Sequence, residues 1–288
     1  MPLFQDLKTY YKQADAVQKI IFWNVFLFVI PMLINVFAYF FNTKIDFLNW
    51  VALPSHFWNF VGKPYTLLTY LFFHSDFLHL LFNLIWLYFV SQLFRTFFSE
   101  KKLIWIYFLG GIFSGIFYVF LHTIIPVLST QNNWLVGSSG AVMAVFFATV
   151  SYNPSMNVRL ALIGTVKIWH IAVVFIILDV LQIPSSNTGG HLAHLGGAMF
   201  GYFYMKLLQN GTDISQPFQT AIDKFLTIFK PKKKQPFKKI YKNTSPKKTH
   251  ETPTKDQQII DDILDKISQS GYESLTQNEK DFLFKFGK

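Results

Sequence analysis

The stretch GSSGAVMAVFFATVSY at residues 137–152 is the part of the sequence from which the rest can be interpreted. In this stretch a loop of small residues leads into an apolar helix, which we predict over residues 139–152. Ser139 lies at the junction of the loop and the helix. This helix is short for a hydrocarbon layer of ~30 Å, so we expect it to begin below the membrane surface. A hydroxyl group at such a point is either a helix N-cap or a reactive group that water can reach.

The amino-acid composition is that of a polytopic membrane protein. Hydrophobic residues make up 51% of the chain and aromatic residues 19%, whereas charged residues make up only 15%. Ordinary soluble domains contain about 25% charged residues, so this composition excludes a typical soluble enzyme. The sequence contains no cysteine, which excludes disulfides, thiolate metal sites and cysteine nucleophiles.

The net charge of +10 comes largely from one segment. Ten lysines and no acidic residue lie between Lys224 and Lys248. A basic run that follows the last apolar segment is typical of a cytoplasmic anchor facing anionic lipid, so the lipid bilayer is an expected partner. RNA or DNA binding is the alternative, but neither aromatic interleaving nor a recognition fold accompanies the lysines, and we expect no nucleic-acid partner.

Six apolar segments predict six membrane-spanning helices. They cover residues 20–41, 77–94, 103–121, 139–152, 168–181 and 191–208. The predicted fold class is therefore all-α, a polytopic six-helix bundle. Lys and Arg concentrate in alternate connections, so by the positive-inside rule those connections and both termini are cytoplasmic. The loops at 122–138 and 182–190 then face outward, and the site around Ser139 opens to the outer face of a cell membrane.

The chain divides into four predicted parts. They are a cytoplasmic N-terminus at 1–19, the membrane domain at 20–208, a Lys/Pro-rich linker at 209–255 and a C-terminal cytoplasmic helical hairpin at 256–288. We expect the linker to be disordered, because it is rich in lysine and proline. In the hairpin, Thr276 and Glu279 have the spacing of a capping box. The hairpin is too small for a stable core of its own, so we expect it to dock on a partner or on the membrane.

A serine hydroxyl attacks an amide only if a base removes its proton, and histidine is the base used most often. The sequence His-Leu-Ala-His at residues 191–194 supplies two histidines where the sixth helix begins. The predicted topology brings this point to the same outer depth as Ser139. We favour His194 as the base, while an exchange of its role with His191 stays open.

Small residues on two predicted helices support a contact between Ser139 and His194. On the sixth helix, Gly197 and Gly201 share one face with His194. The fourth helix carries a matching stripe of small residues, Gly140, Ala144 and Ala148. Faces of this kind let two helix backbones approach closely enough for a serine–histidine hydrogen bond.

An oxyanion forms when a carbonyl group is attacked, and it needs hydrogen-bond donors. His79 and Asn83 lie one helical turn apart on the second helix, and the Ser139 N–H at a helix N-terminus is another donor. Gly137, two residues before the nucleophile candidate, is grouped with them as a residue of the substrate-binding region. The alternative role of His79 and Asn83 is hydrogen bonding between helices.

These motifs together resemble the rhomboid family of intramembrane serine proteases. The motifs are Gly137-x-Ser139-Gly140, His79-x-x-x-Asn83 and Ala193-His194-Leu195-Gly196-Gly197, and the resemblance covers about residues 20–208. It implies a Ser139–His194 dyad in a six-helix bundle, with His79 and Asn83 joining the Ser139 amide in binding the oxyanion. It also implies that the chain cleaves helix-destabilised transmembrane segments of other membrane proteins without a cofactor.

Two other functional classes are possible for such a sequence. A catalytically silent rhomboid-like protein would bind transmembrane clients and direct their fate, but the presence of Ser139 and His194 weighs against it. A small transporter would contain internal repeats around a midplane site, and the sequence shows no such repeat.

Asp179 is the one acidic residue inside a predicted span. Such a residue is a candidate functional group, either as an orienter of the histidine or as a proton relay. Because the family dyad lacks a carboxylate, we expect Asp179 to be hydrated at the outer end of its helix, with a structural or gating role. We also expect no metal site, since the paired histidines have no acid or thiol at ligand spacing in the sequence.

Overall fold

The computed structural model describes residues 2–130, 133–161, 163–185, 187–229 and 254–286. The chain divides into two compact units, residues 1–230 and 231–288. The helices described in the first unit are α1 (Pro2–Gln13), α2 (Ala16–Phe40), α3 (Leu48–Val51), α4 (Phe57–Gly62), α5 (Thr66–Thr69), α6 (Phe77–Arg95), α7 (Glu100–Ile124), α8 (Pro126–Ser129), α9 (Ser139–Tyr152), α10 (Ile168–Gln182), α11 (Thr188–Gln209) and α12 (Gln216–Phe229).

Within the described residues, four short strands accompany the helices in two antiparallel pairs. They are β1 (Leu53–Pro54) with β2 (Trp134–Leu135), and β3 (Asn157–Leu160) with β4 (Gly164–Lys167). The chain is mostly helical, as predicted, but the strand pair in the connection between α9 and α10 was not predicted. That connection turns back on itself because Gly164 adopts a φ of +91°, a conformation that favours glycine.

Each predicted span contains a helix, but the helices differ in length and polarity. Among the described residues, three are long and apolar enough to cross a membrane, namely α2, α6 and α7. Helices α9 and α10 are apolar but have only 14 and 15 residues. Helix α11 has 22 residues, and its histidines and glycines make it less apolar. The chain thus has the helices of a membrane protein, while six crossings stay a prediction.

Helix α9 lies at the centre of the first unit. It packs against α6, α7 and α11, and buried residues occur on all sides of it, as in a helix surrounded by other helices. The contact with α11 is the most extensive in the unit. A Cβ atom at Gly197 would overlap the Gly140 carbonyl oxygen, and one at Gly201 would overlap the Ala144 carbonyl oxygen. The predicted small faces do meet, and this confirms the close approach of the two backbones.

Polar contacts join α2, α6 and α7 at the end of the unit opposite Ser139. Asp15 caps α2 and accepts the Gln18 N–H at 2.8 Å, and its carboxylate pairs with Arg95 at 2.7 Å. Burial raises the pKa of Asp15, but the Gln18 hydrogen bond and Arg95 more than offset this, so the pKa lies below its usual value. The Ala16 N–H donates to Glu100 at the start of α7. These contacts hold the three helix ends together.

Two predicted parts of the chain contain helices that the sequence analysis did not predict. The segment at 1–19, predicted as a polar terminus, contains helix α1 and the first turn of α2. The predicted linker at 209–255 contains α12, a helix that exposes Phe218, Ile222 and Leu226 along one side. The remainder of that linker up to residue 253 lies outside the described residues.

The second unit contains helices α13 (Lys255–Ser270) and α14 (Gln277–Phe286), joined by a 3-10 turn at Tyr272–Ser274. Lys266 of α13 pairs with Glu279 of α14 at 2.8 Å. The Thr276 N–H donates to the same carboxylate at 2.7 Å, which is one half of a capping box. The Lys266 ammonium and these hydrogen bonds lower the pKa of Glu279 to about 2. The role of this predicted hairpin as a docking module stays a prediction.

Candidate active site

Ser139 is the first residue of α9, and two backbone contacts fix the chain just before it. Strand β2 pairs with β1 just upstream, and the Gly137 N–H donates to the Tyr70 carbonyl at 2.9 Å. Ser139 therefore stands at a fixed helix N-terminus, where backbone N–H groups point away from the helix and the dipole favours negative charge.

Gly137 is required for two separate reasons. Its φ of +119° lies in a region that residues with a side chain rarely adopt. In addition, a Cβ atom at this position would lie 2.7 Å from His79 Nε2. The glycine thus brings the loop before Ser139 directly against the His79 ring.

Ser138 links the start of α9 to α6. This buried residue donates its hydroxyl hydrogen to Asn83 Oδ1 at 3.1 Å, and Asn83 Nδ2 donates to the His79 carbonyl at 2.8 Å. The amide of Asn83 is therefore held in one orientation. Because Nδ2 carries two hydrogens, one donor remains for another acceptor.

His79 lies in the first turn of α6 and is fixed by the residues before it. Asp76 caps the helix by accepting the His79 N–H at 2.9 Å, and Ser75 Oγ lies 3.0 Å from His79 Nδ1. The neighbouring His74 ring packs edge-on against His79 with the centroids 5.1 Å apart. Burial, with a smaller contribution from His79, lowers the pKa of His74 to about 3. His74 is therefore neutral and adds no positive charge near His79.

His194 lies on the second turn of α11, whose start is fixed by capping and by α7. Asn187, with a φ of +47°, caps the helix by accepting the Gly190 N–H at 3.3 Å. Ser114 of α7 donates to the Ala193 carbonyl, directly beside His194. The sequence analysis did not identify Ser114, because a serine inside an apolar helix gives no indication of its partner.

Asp179 of α10 holds the rings of both histidines. Its Oδ1 lies 2.8 Å from His194 Nδ1 and 2.8 Å from His191 Nδ1. A carboxylate accepts hydrogen bonds, so each Nδ1 carries the proton. In a neutral imidazole the Nε2 atom is then free to accept a proton. This arrangement suits His194 as a general base.

A cavity of about 360 Å³ brings the candidate residues together. Its lining consists of His79, Phe82, Asn83, Ile85, Trp86, Val136, Ser139, Phe175, Asn187, Gly190 and His194. Four of the predicted site residues are in this set. The fifth, Gly137, is not part of the lining but lies against the His79 ring. The other walls are mainly apolar, as expected of a binding site in which a few polar groups fix orientation. The Ser139 side chain therefore lies beside mainly apolar walls in this cavity.

The predictions about Asp179 require correction. We expected a hydrated carboxylate and no acid at ligand spacing from the histidines, whereas Asp179 is only 5% exposed and contacts both rings. The reason is that a short connection joins α10 to α11, which brings the end of one helix beside the start of the other. The sequence pattern that could have indicated this contact is a single acidic residue near the end of one apolar helix, followed after a short connection by His-x-x-His at the start of the next.

Comparisons with known proteins agree with these motifs. The Rhomboid domain family matches residues 61–210, and a family of unknown function (DUF6576) matches residues 246–288. Over 148 residues the chain is 26% identical to RHOMBOID-like protein 12, mitochondrial, of Arabidopsis thaliana. The match covers 48% of this chain and 44% of that protein, so the chain spans less than half of the relative.

Proposed function

Because this chain belongs to the rhomboid family, we propose that it is an intramembrane serine endopeptidase that cleaves transmembrane segments of other membrane proteins. The observation that carries the proposal is the shared cavity lined by Ser139, His194, His79 and Asn83. It provides a nucleophile, a base and two donors for the oxyanion, which are the groups that acyl transfer requires.

The reaction begins when Ser139 Oγ attacks the carbonyl carbon of the scissile peptide bond. His194 accepts the serine proton at Nε2, and Asp179 accepts the Nδ1–H, which keeps the ring oriented and stabilises the imidazolium. The imidazolium then gives its proton to the leaving amine as the C–N bond breaks, and an acyl-enzyme forms. A water molecule, activated by His194, hydrolyses the acyl-enzyme and releases the second product.

The negative charge on the carbonyl oxygen forms beside three donors. They are the Ser139 N–H at the start of α9, the remaining Nδ2 hydrogen of Asn83, and the Nε2–H of His79 in the tautomer whose Nδ1 accepts from Ser75 Oγ. Donors that are fixed before the reaction stabilise such a charge without reorganisation. Ser138 contributes by holding the Asn83 amide, so it acts as a positioning residue.

The proposed substrates are single-spanning membrane proteins whose transmembrane segment is destabilised by small residues. Such a segment can extend locally, and an extended chain is what a nucleophile between helices can reach. From the distribution of Lys and Arg we propose six crossings in the cell membrane, with cytoplasmic termini and a site that opens outward. The reaction uses no cofactor.

The test is cleavage of a single-spanning substrate in liposomes by the wild-type chain, Ser139→Ala and His194→Ala. Ser155→Ala, at an exposed serine outside the cavity, is the matched control. We expect wild type and control to cleave, both dyad variants to be inactive, and a fluorophosphonate to label wild type at Ser139 alone. A folded wild-type protein that neither cleaves nor reacts would instead favour the client-binding alternative.

A further inference from the structure

Three potential metal ligands converge beside the proposed active site. One ring nitrogen each of His191 and His194 and a carboxylate oxygen of Asp179 all lie within 4.8 Å of one another, and both Nδ1 atoms lie 2.8 Å from Asp179 Oδ1. His191 and His194 are three residues apart on α11, so they share one face of the helix. Asp179 reaches them from α10 and makes a ligand set drawn from two helices.

The carboxylate charge of this cluster is compensated only in part, by the two histidine Nδ1–H groups that donate to Asp179 Oδ1. Asp179 is almost fully buried, and its Oδ2 atom has no hydrogen-bond partner within the described residues. None of the ion pairs formed by those residues brings a lysine or arginine to this carboxylate. A buried carboxylate is costly unless a cation or several donors compensate it. The cluster therefore has both the ligand atoms and the negative charge that favour a cation.

We propose that Asp179, His191 and His194 form an inhibitory site for a divalent transition-metal ion of the zinc type. Two imidazole nitrogens and one carboxylate oxygen are a common zinc ligand set that leaves a fourth position for water. Tetrahedral zinc has bonds of about 2.0–2.2 Å, which places its ligand atoms roughly 3.3 Å apart. The two observed Nδ1–Oδ1 distances of 2.8 Å are shorter than that value and all three ligand atoms lie within 4.8 Å, so metal binding requires the rings to rotate slightly away from the carboxylate. Magnesium and calcium prefer oxygen ligands and fit this set poorly.

Metal binding at this site would inactivate His194 as a base. A neutral imidazole that coordinates a metal through Nδ1 carries its proton on Nε2. The atom that has to accept the Ser139 proton would then already hold one. Inhibition follows without any contact between the ion and Ser139. Since His194 lines the cavity, an ion can reach the cluster from there.

Binding itself is tested without any cleavage. We would titrate purified, chelator-treated Ser139→Ala protein with Zn²⁺ in equilibrium dialysis and with Co²⁺ by absorption spectroscopy. The expected results are stoichiometric binding and the spectrum of tetrahedral Co²⁺. His191→Gln in the same background should weaken the affinity by at least about tenfold. His170→Gln, at an exposed histidine of α10 outside the cluster, should bind as the parent does.

Inhibition rests on the proposed function and is measured separately on the active chain. Zn²⁺ should reduce cleavage by at least about a hundredfold, the lower end of the usual contribution of a general base, and a chelator should restore it. Mg²⁺ should have no effect, and His191→Gln should cleave without being inhibited by Zn²⁺. Equal Zn²⁺ binding by Ser139→Ala with and without His191→Gln would overturn the metal site, as would equal inhibition of wild type and His191→Gln. If the protein binds Zn²⁺ but the wild type cleaves no substrate, the proposed function is wrong and the metal site still stands.

Discussion

Helix α11 contacts α9 and α10 in different ways. Against α9 it presents Gly197 and Gly201, which leave no room for a side chain. Helix α10 touches the rest of the unit much less and exposes most of its apolar residues, including Val174 and Leu181. Asp179 is among its few buried residues. The positions of the proposed nucleophile Ser139 and base His194 thus depend on the packing of two helix backbones. The position of the Asp179 carboxylate depends on side-chain contacts.

The largest effect is expected where the backbones touch. In Gly197→Ala the new methyl group overlaps the Gly140 carbonyl, so α9 and α11 must separate. We expect destabilisation by about 1–3 kcal/mol, as for other overpacked cores. Cleavage should fall by at least about a hundredfold, because small displacements of reacting groups are this costly. Thermal unfolding and cleavage of the liposome substrate measure the two effects.

Gly62→Ala is the matched control for this substitution. A Cβ atom at Gly62 would meet no atom of the described residues within 4 Å, so stability and cleavage should stay at wild-type values. If Gly197→Ala matched Gly62→Ala in both measurements, the α9–α11 contact would not be the rigid element of the site.

A smaller effect is expected at the contact between α10 and α11. In Asp179→Asn the amide can donate to His194 Nδ1, which favours the tautomer with its proton on Nε2. We expect kcat to fall by about 10–100-fold with KM nearly unchanged. The thermal midpoint should change little, in contrast with Gly197→Ala. Leu178→Ala, at an exposed residue of the same helix, controls for changes in α10 itself. Equal kcat values for the two α10 variants would remove Asp179 from the mechanism.

Gly137→Ala tests whether the loop before α9 is as tightly fixed as the helix pair. The substitution adds the strain of a positive φ and a contact with His79. Strain of this kind costs about 1–3 kcal/mol. Gly164→Ala carries a similar strain, with a φ of +91°, but its Cβ would meet none of the described atoms within 4 Å. We expect both variants to lose stability and only Gly137→Ala to lose cleavage, by about tenfold. Equal cleavage would mean that the contact with His79 is unimportant.

The smallest effect concerns the opposite end of the unit and depends on pH. The folded-state pKa of Asp15 is lowered, so its contribution is present above the unfolded pKa and is lost as pH falls through the folded value. Asp15→Asn should therefore reduce stability near neutral pH by about 1 kcal/mol, and the difference should shrink below about pH 4. Asp223→Asn, which removes the exposed pair with Lys101, should change little at either pH. A difference that persisted in acid would assign the effect to something other than the charge.

The sequence predicted the contact of α9 with α11 but not that of α10, for a physical reason. A stripe of small residues marks one face of a helix, so Gly140 and Gly197 show which sides meet. Helix α10 is apolar all round, so its hydrophobic pattern does not show which side faces the unit. The position of Asp179 against His191 depends on that rotation. The bond between Ser138 and Asn83 depends likewise on a loop conformation that only the folded chain defines.

The length and surroundings of α9 have a consequence for biosynthesis. With 14 residues the helix is about 21 Å long, shorter than the hydrocarbon layer, and much of its surface is complementary to α11 rather than to lipid. When α9 leaves the ribosome, α6 and α7 are already made, but its partner helix has still to be translated. The proposed site is therefore assembled by the last helix of the bundle. Under the proposed function, a nascent chain is inactive until α11 has packed against α9.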